Sequence, residues 1–210
     1  MSESVEAMIV NRARSITLAD IPQDAVDIAK SLILDQIGVQ IACSSLPWVA
    51  ALHKYVSATS TPGPSLALGF RSRFGPEAAA LVNGTAGHGF ELDDYYPPSH
   101  THPSCVAVPA SIAVGEFVSA SGADVLKAYV LAAELMVLLA HSTMPSMLYE
   151  RGFHATCAHG VFGSALAAGL LMEMSTTEMI DALGIAGSHA SGTTEFSRSG
   201  GDVKRLHGGM

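Results

Sequence analysis

Residues 24–43 read Asp-Ala-Val-Asp-Ile-Ala-Lys-Ser-Leu-Ile-Leu-Asp-Gln-Ile-Gly-Val-Gln-Ile-Ala-Cys. Val26, Ala29, Ile33, Ile37 and Ile41 fall at the spacing of one helical face, and Pro22-Gln23 supplies an entry turn, so the stretch predicts a helix over Asp24–Cys43. Gly38 inside it costs about 1 kcal/mol relative to Ala, which suits a position where a neighbouring helix comes close.

The same period extends in both directions along the chain. Pro47–Ser57 reads as a shorter helix opened by proline, Ser60–Pro64 as a loop, and Ser65–Phe70 as a lone strand or extended piece bounded by Pro64 and Gly69. Pro76–His88 is an Ala-rich helix. Its Asn83-Gly84 pair is a turn signal that the surrounding Ala and Val pattern overrides. Pro103–Ala120 is a helix of small residues that Pro109 either bends or opens. Ser121 with Asp124 caps a long helix through His141, which Pro145 ends. Ala155–Met174 and a helix capped by Ser175-x-x-Glu178 follow. The tail from Ser197 is basic and Gly-rich and reads as lacking a closing element. No internal repeat, low-complexity linker or heptad pattern interrupts this series, and the fold class is all-α.

Composition bounds the function. With 210 residues, 49% of them hydrophobic, the chain can bury a sizeable core, and its low aromatic content of 6% suits closely packed helices. Charged residues make up only 14%, which predicts a surface partly covered by another chain and hence a homo-oligomer. A net charge of −8 excludes a phosphate-binding field and with it nucleic acid. Cys43, Cys105 and Cys157 are odd in number and widely spaced, which fits a reducing compartment. The N-terminal octet carries acids where a targeting peptide would want bases. The most apolar run, Tyr129–Ala140, contains Glu134 and is far short of the roughly 20 residues of a membrane span. The reading is a cytoplasmic protein with no membrane segment.

Gly87–Pro109 concentrates the chemistry. Glu91, Asp93 and Asp94 precede His100 and His102, and Pro97-Pro98 keeps the piece out of a helix. Loops on a rigid scaffold collect functional side chains, and acids beside imidazoles tune each other toward proton transfer. A polar surface loop would look the same. The His-x-His pair has no third ligand at suitable spacing, so the metal expectation is none. His88, His141, His159 and His189 lie on apolar stretches and read as core or subunit-contact residues.

The runs Gly75–His88, Phe90-Glu91-Leu92-Asp93-Asp94 and Thr101-His102-Pro103-Ser104 resemble the signature region of the MmgE/PrpD family. Gly152-Phe153-His154, Ala182–Ser188 and Lys204-Arg205-Leu206-His207 resemble further family motifs in the same order. That family includes 2-methylcitrate dehydratase, cis-aconitate decarboxylase and iminodisuccinate epimerase. The resemblance implies that residues 1–210 are the N-terminal helical domain, truncated before a smaller α/β domain. It also implies a homodimer, no organic cofactor, and an active-site cleft that a second domain or a second-half partner chain completes.

The function so implied is a lyase of the 2-methylcitrate dehydratase type acting on a small polycarboxylate. Decarboxylation of cis-aconitate, epimerisation of an iminodiacid, and a catalytically silent module that only oligomerises remain as alternatives. By the family match, Glu91, His102, His154 and Lys204 are the catalytic positions, and Asp94, His100, Arg205 and His207 join them in substrate binding. Glu91 stands where many relatives have Asp. Asp93 is read as orienting the loop, and His154 as a helix-start imidazole kept neutral by the helix dipole.

Overall fold

The computed structural model describes residues 3–210. Ten α-helices are found among them: α1 (Val5–Ser15), α2 (Gln23–Cys43), α3 (Pro47–Thr59), α4 (Pro76–Gly87), α5 (Ser104–Val118), α6 (Gly122–Thr143), α7 (Ser146–Tyr149), α8 (Ala155–Leu171), α9 (Thr176–His189) and α10 (Phe196–Ser199). The one sheet among the described residues is a small antiparallel pair, β1 (Pro62–Ala67) with β2 (Ser72–Phe74). The all-α expectation holds.

The centre is α5. It is buried over Ser104–Ser111 and packs with α2, α6 and α8 around Val26, Val108, Tyr129, Met136 and Ala167. Small side chains on α5 and α8 permit this close crossing of apolar helices. A second cluster joins α1, α6, α8 and α9 through Val10, Leu135, Leu166 and Met179. Helix α1 has no counterpart in the sequence reading, because it is polar on average and only Val10 and Ala13 of its residues are buried. Its start is capped by Ser4, whose hydroxyl accepts from the Ala7 N–H.

No neighbouring helix comes close at Gly38, where an added Cβ would meet nothing within 4 Å, and three further sequence expectations need correction. Ser65–Phe70 holds part of a strand, as one reading has it, but the strand is not alone: residues 62–67 form β1 and pair with β2. The hairpin turns through Gly69 in the left-handed region (φ 83). Asn83 is the reason the pair sits where it does. From inside α4 its side-chain oxygen accepts from the Leu68 N–H, and its amide donates to the Leu66 carbonyl, each at 2.8 Å. The Asn-Gly pair is therefore a fastening point within a helix. Pro109 does not open α5, which runs past it on both sides.

The third correction concerns the tail. Asp202–Gly208 forms a 3-10 helix that returns to α4. At Gly84 any Cβ would collide with the Gly208 carbonyl, so glycine there is what allows the tail to dock.

Among the described residues no single helix is long and apolar enough to cross a membrane. Helices α2 and α3 reach that apolarity only together, as a pair bent by 88°.

Candidate functional site

Three junctions meet at one end of α4 and α5. The first is the loop between these helices, tied across its neck by the Tyr96 N–H donating to the Thr101 carbonyl at 2.9 Å. Its outer part is stapled to α8 where the Thr156 hydroxyl accepts from the His102 N–H at 3.0 Å. The second is the start of α8, where His154 takes the N-cap position and its N–H donates to the Gly192 carbonyl at 2.7 Å. The third is the docked tail with Lys204 and His207.

Together they assemble a continuous polar chain. Lys204 Nζ donates to Glu91 Oε2 at 2.5 Å, and His102 Nε2 stands 3.9 Å from the same oxygen. His102 Nδ1 lies 3.3 Å from Asp93 Oδ2, which accepts from His88 Nδ1 at 2.8 Å. The His88 ring stacks on His154 with centroids 5.7 Å apart, and His154 Nδ1 meets His207 Nδ1 at 3.0 Å. The His88 and Asp93 side chains are fully buried, while that of Glu91 is 44% exposed, so the chain is closed at one end and open at the other. Glu91 holds a left-handed backbone (φ 55), which costs a non-glycine residue roughly 1–3 kcal/mol and marks a constrained position.

The electrostatics follow from this gradient of burial. Burial alone would raise the Asp93 carboxyl, yet hydrogen bonds from His102 and His88 outweigh it and hold the group well below the usual carboxylate range. Burial, with the neighbouring His88, His207 and Lys204, pushes His154 far below the ordinary imidazole value, and burial pushes His207 the same way. The sequence expectation of a neutral His154 is met in direction. Its main cause is desolvation, where the sequence reading had invoked the helix dipole.

Glu91, His102, His154, Lys204 and His207 thus come together. The other three candidates lie apart from this chain. Asp94 accepts from the Ser104 N–H at 2.9 Å and from its hydroxyl at 2.8 Å, fastening the start of α5. His100 pairs with the Tyr95 hydroxyl at 2.8 Å, and only the Tyr95 ring, 5.1 Å from that of His102, links it to the centre. Arg205 donates to the Gly89 carbonyl, pairs with Asp202 and covers Trp48 at 4.6 Å. These contacts make Arg205 a pin for the tail.

The sequence reading missed two members. His88 looks like a core histidine because the helix before it is apolar, and Asp93 looks like one of two equivalent loop acids. Their spacing of five residues matches no helical or strand period, so no local signal joins them. Donor atoms of His88, Asp93 and Cys105 lie within 4.8 Å of one another and are the described residues best placed to hold a metal ion. Ion pairing already accounts for them: Asp93 serves two imidazoles, and the Cys105 thiol, raised by burial, donates to the His102 carbonyl.

Residues 8–210 match the MmgE/PrpD N-terminal domain. Cis-aconitate decarboxylase from Aspergillus terreus (strain NIH 2624 / FGSC A1156) is 34% identical, covering 98% of this chain and 43% of the relative. The Mus musculus protein of the same name is 28% identical, covering 99% of this chain and 43% of the relative. The Homo sapiens one is also 28% identical, covering 99% and 44%. The chain therefore spans less than half the length of these curated relatives.

Proposed function

From the premise that the chain belongs to the MmgE/PrpD family, we propose that it forms the proton-transfer half of a lyase site acting on a small polycarboxylate, of the cis-aconitate decarboxylase type. The observation that carries this is the convergence of Lys204, Glu91, His102, His154 and His207 from three separate junctions onto one partly open site. The names of the relatives favour decarboxylation over the dehydration suggested by the sequence motifs alone.

In this reading the Lys204 ammonium, now on Glu91, receives a substrate carboxylate. The carbon–carbon bond to one carboxyl breaks and carbon dioxide leaves. The electron pair moves through the adjacent double bond, and an imidazole of the cluster delivers the proton that the new carbanion takes. His154, held neutral by burial, is suited to exchange a proton with His207, whose Nδ1 lies 3.0 Å from its own, rather than to carry a lasting charge. Further cations for a substrate with several carboxylates come from a second domain or a partner chain covering the exposed Glu91 side. Three free, buried cysteines support a cytoplasmic setting.

The test is an assay of the chain, alone and with a second-half polypeptide, against cis-aconitate, 2-methylcitrate and iminodisuccinate. Carbon dioxide release from cis-aconitate is expected, and Lys204→Ala and His154→Ala should each lower it by about 100-fold or more. Native rates in both variants would remove these residues from the chemistry, and water loss from 2-methylcitrate alone would restore the dehydratase reading. A folded chain silent in both arms would leave the oligomerising module.

A further inference from the structure

Asp93 is the one carboxylate of the site with no exposed side-chain surface. Its Oδ2 atom faces two imidazoles: His88 Nδ1 at 2.8 Å and, less well aligned, His102 Nδ1 at 3.3 Å. An ionised carboxylate can only accept hydrogen bonds, so His88 Nδ1 carries a proton; His102 Nδ1 makes no aligned hydrogen bond here, and it is the carboxylate charge 3.3 Å away that favours its proton on that nitrogen. The other nitrogen of a neutral His102 is then bare, and Nε2 is the atom on the Glu91 side, where the site opens.

We infer that Asp93, anchored by His88, is the positioning residue that fixes His102 as its Nδ1–H tautomer and aims a bare Nε2 at the substrate space. This inference rests on the proposed lyase reading for its purpose, but the tautomer itself does not. Asp93, whose side chain has no exposed surface, acts through His102.

The surroundings support this arrangement. His102 is faced by Asp93, Glu91 and Tyr95 from its own loop, by His88 from the end of α4, by His154 from α8 and by Lys204 from the tail. Asp94, the nearest alternative acid, is committed to Ser104. Asp93 is therefore the only group among the described residues within bonding reach of His102 Nδ1 that can impose a tautomer. His88 supplies a second donor to the same oxygen, which helps keep a buried carboxylate ionised. The backbone does the rest, since the Thr156 hydroxyl holds the His102 N–H and so fixes where the ring starts.

The experiment is nitrogen-15 NMR of the 210-residue chain carrying labelled histidine, with the His102 signals assigned by His102→Gln. At neutral pH the native protein should show a protonated Nδ1 and a bare Nε2 at His102. In Asp93→Ala the preference should be lost, and Asp93→Asn, which keeps an oxygen at the shared position, should retain it in part. A protonated Nε2 with a bare Nδ1 in the native chain overturns the inference whatever the variants do, so a variant that fails to fold does not protect it. Where turnover is measurable, Asp93→Ala should lower kcat by about 100-fold or more with KM little changed. An unchanged kcat would overturn the positioning role. An inactive native chain with the expected tautomer would instead count against the lyase reading and leave the tautomer assignment standing.

Discussion

His154, His159 and His207 are buried imidazoles bonded to each other or to neutral oxygens: His154 to His207, and His159 to the Thr143 hydroxyl and the Ala155 carbonyl. Burial lowers all three from the ordinary value. The unfolded chain therefore binds protons below about pH 6.5 that the folded chain refuses, and stability is complete above that pH and is lost as pH falls. Each such group costs up to about 1.4 kcal/mol per pH unit in that window. Asp94, raised by burial, works in the opposite direction, but it is one group against three. Thermal melts should show Tm falling by on the order of 5–10 °C between pH 7.5 and 5.5. His159→Gln should flatten that slope, and a Tm constant over this range would mean the imidazoles are not held neutral.

At the scale of elements, α4 organises its surroundings through two adjacent residues. Asn83 satisfies one N–H and one carbonyl of the hairpin. Asn83→Ala leaves both without their partner at about 1–3 kcal/mol each, so chemical denaturation should show a loss of about 2–6 kcal/mol. A loss under about 0.5 kcal/mol would mean that the hairpin holds its place without the amide. Gly84 acts on the opposite side, because its missing side chain makes room for the Gly208 carbonyl. Gly84→Val should leave the helical core folded but release residues 202–210, seen as fast hydrogen exchange of their amides and loss of Lys204-dependent activity. Protected tail amides in that variant would show that the tail is held by other contacts.

For the whole molecule, Leu34, Ile41, Leu138 and Ile185 are each half or more exposed, in a chain whose surface is poor in charge. Such exposure fits burial against another polypeptide. Sedimentation velocity should therefore give a homodimer, about twice 21.7 kDa, and a monomer at micromolar concentration would sink that expectation. The helix series was legible from the sequence because its signals are local: the Ser121 and Ser175 caps, Pro145 after α6, and the apolar period of α2, although beyond Ala29 the face of α2 that is buried carries Gln36, Val39, Gln40 and Cys43 and leaves Ile41 half exposed. The hairpin was half legible. Ser65–Phe70 has the composition of an extended segment, but its partner Ser72–Phe74 is too short to signal itself.

The sequence by itself determined an all-helical chain and most of the residue types at the site, since periodicity, capping and recurring motifs are written within a few residues of one another. Only the tertiary structure decided which of these residues work together. The pairing of His88 with Asp93, the return of the tail onto Gly84, and the separation of Asp94 and Arg205 from the polar chain all depend on elements that meet across long stretches of sequence. A hydrogen bond formed by packing leaves no periodic trace in the chain. Burial, which keeps His154 neutral, and the imidazoles that hold Asp93 ionised against its burial are likewise properties of the packed molecule and not of any segment of it.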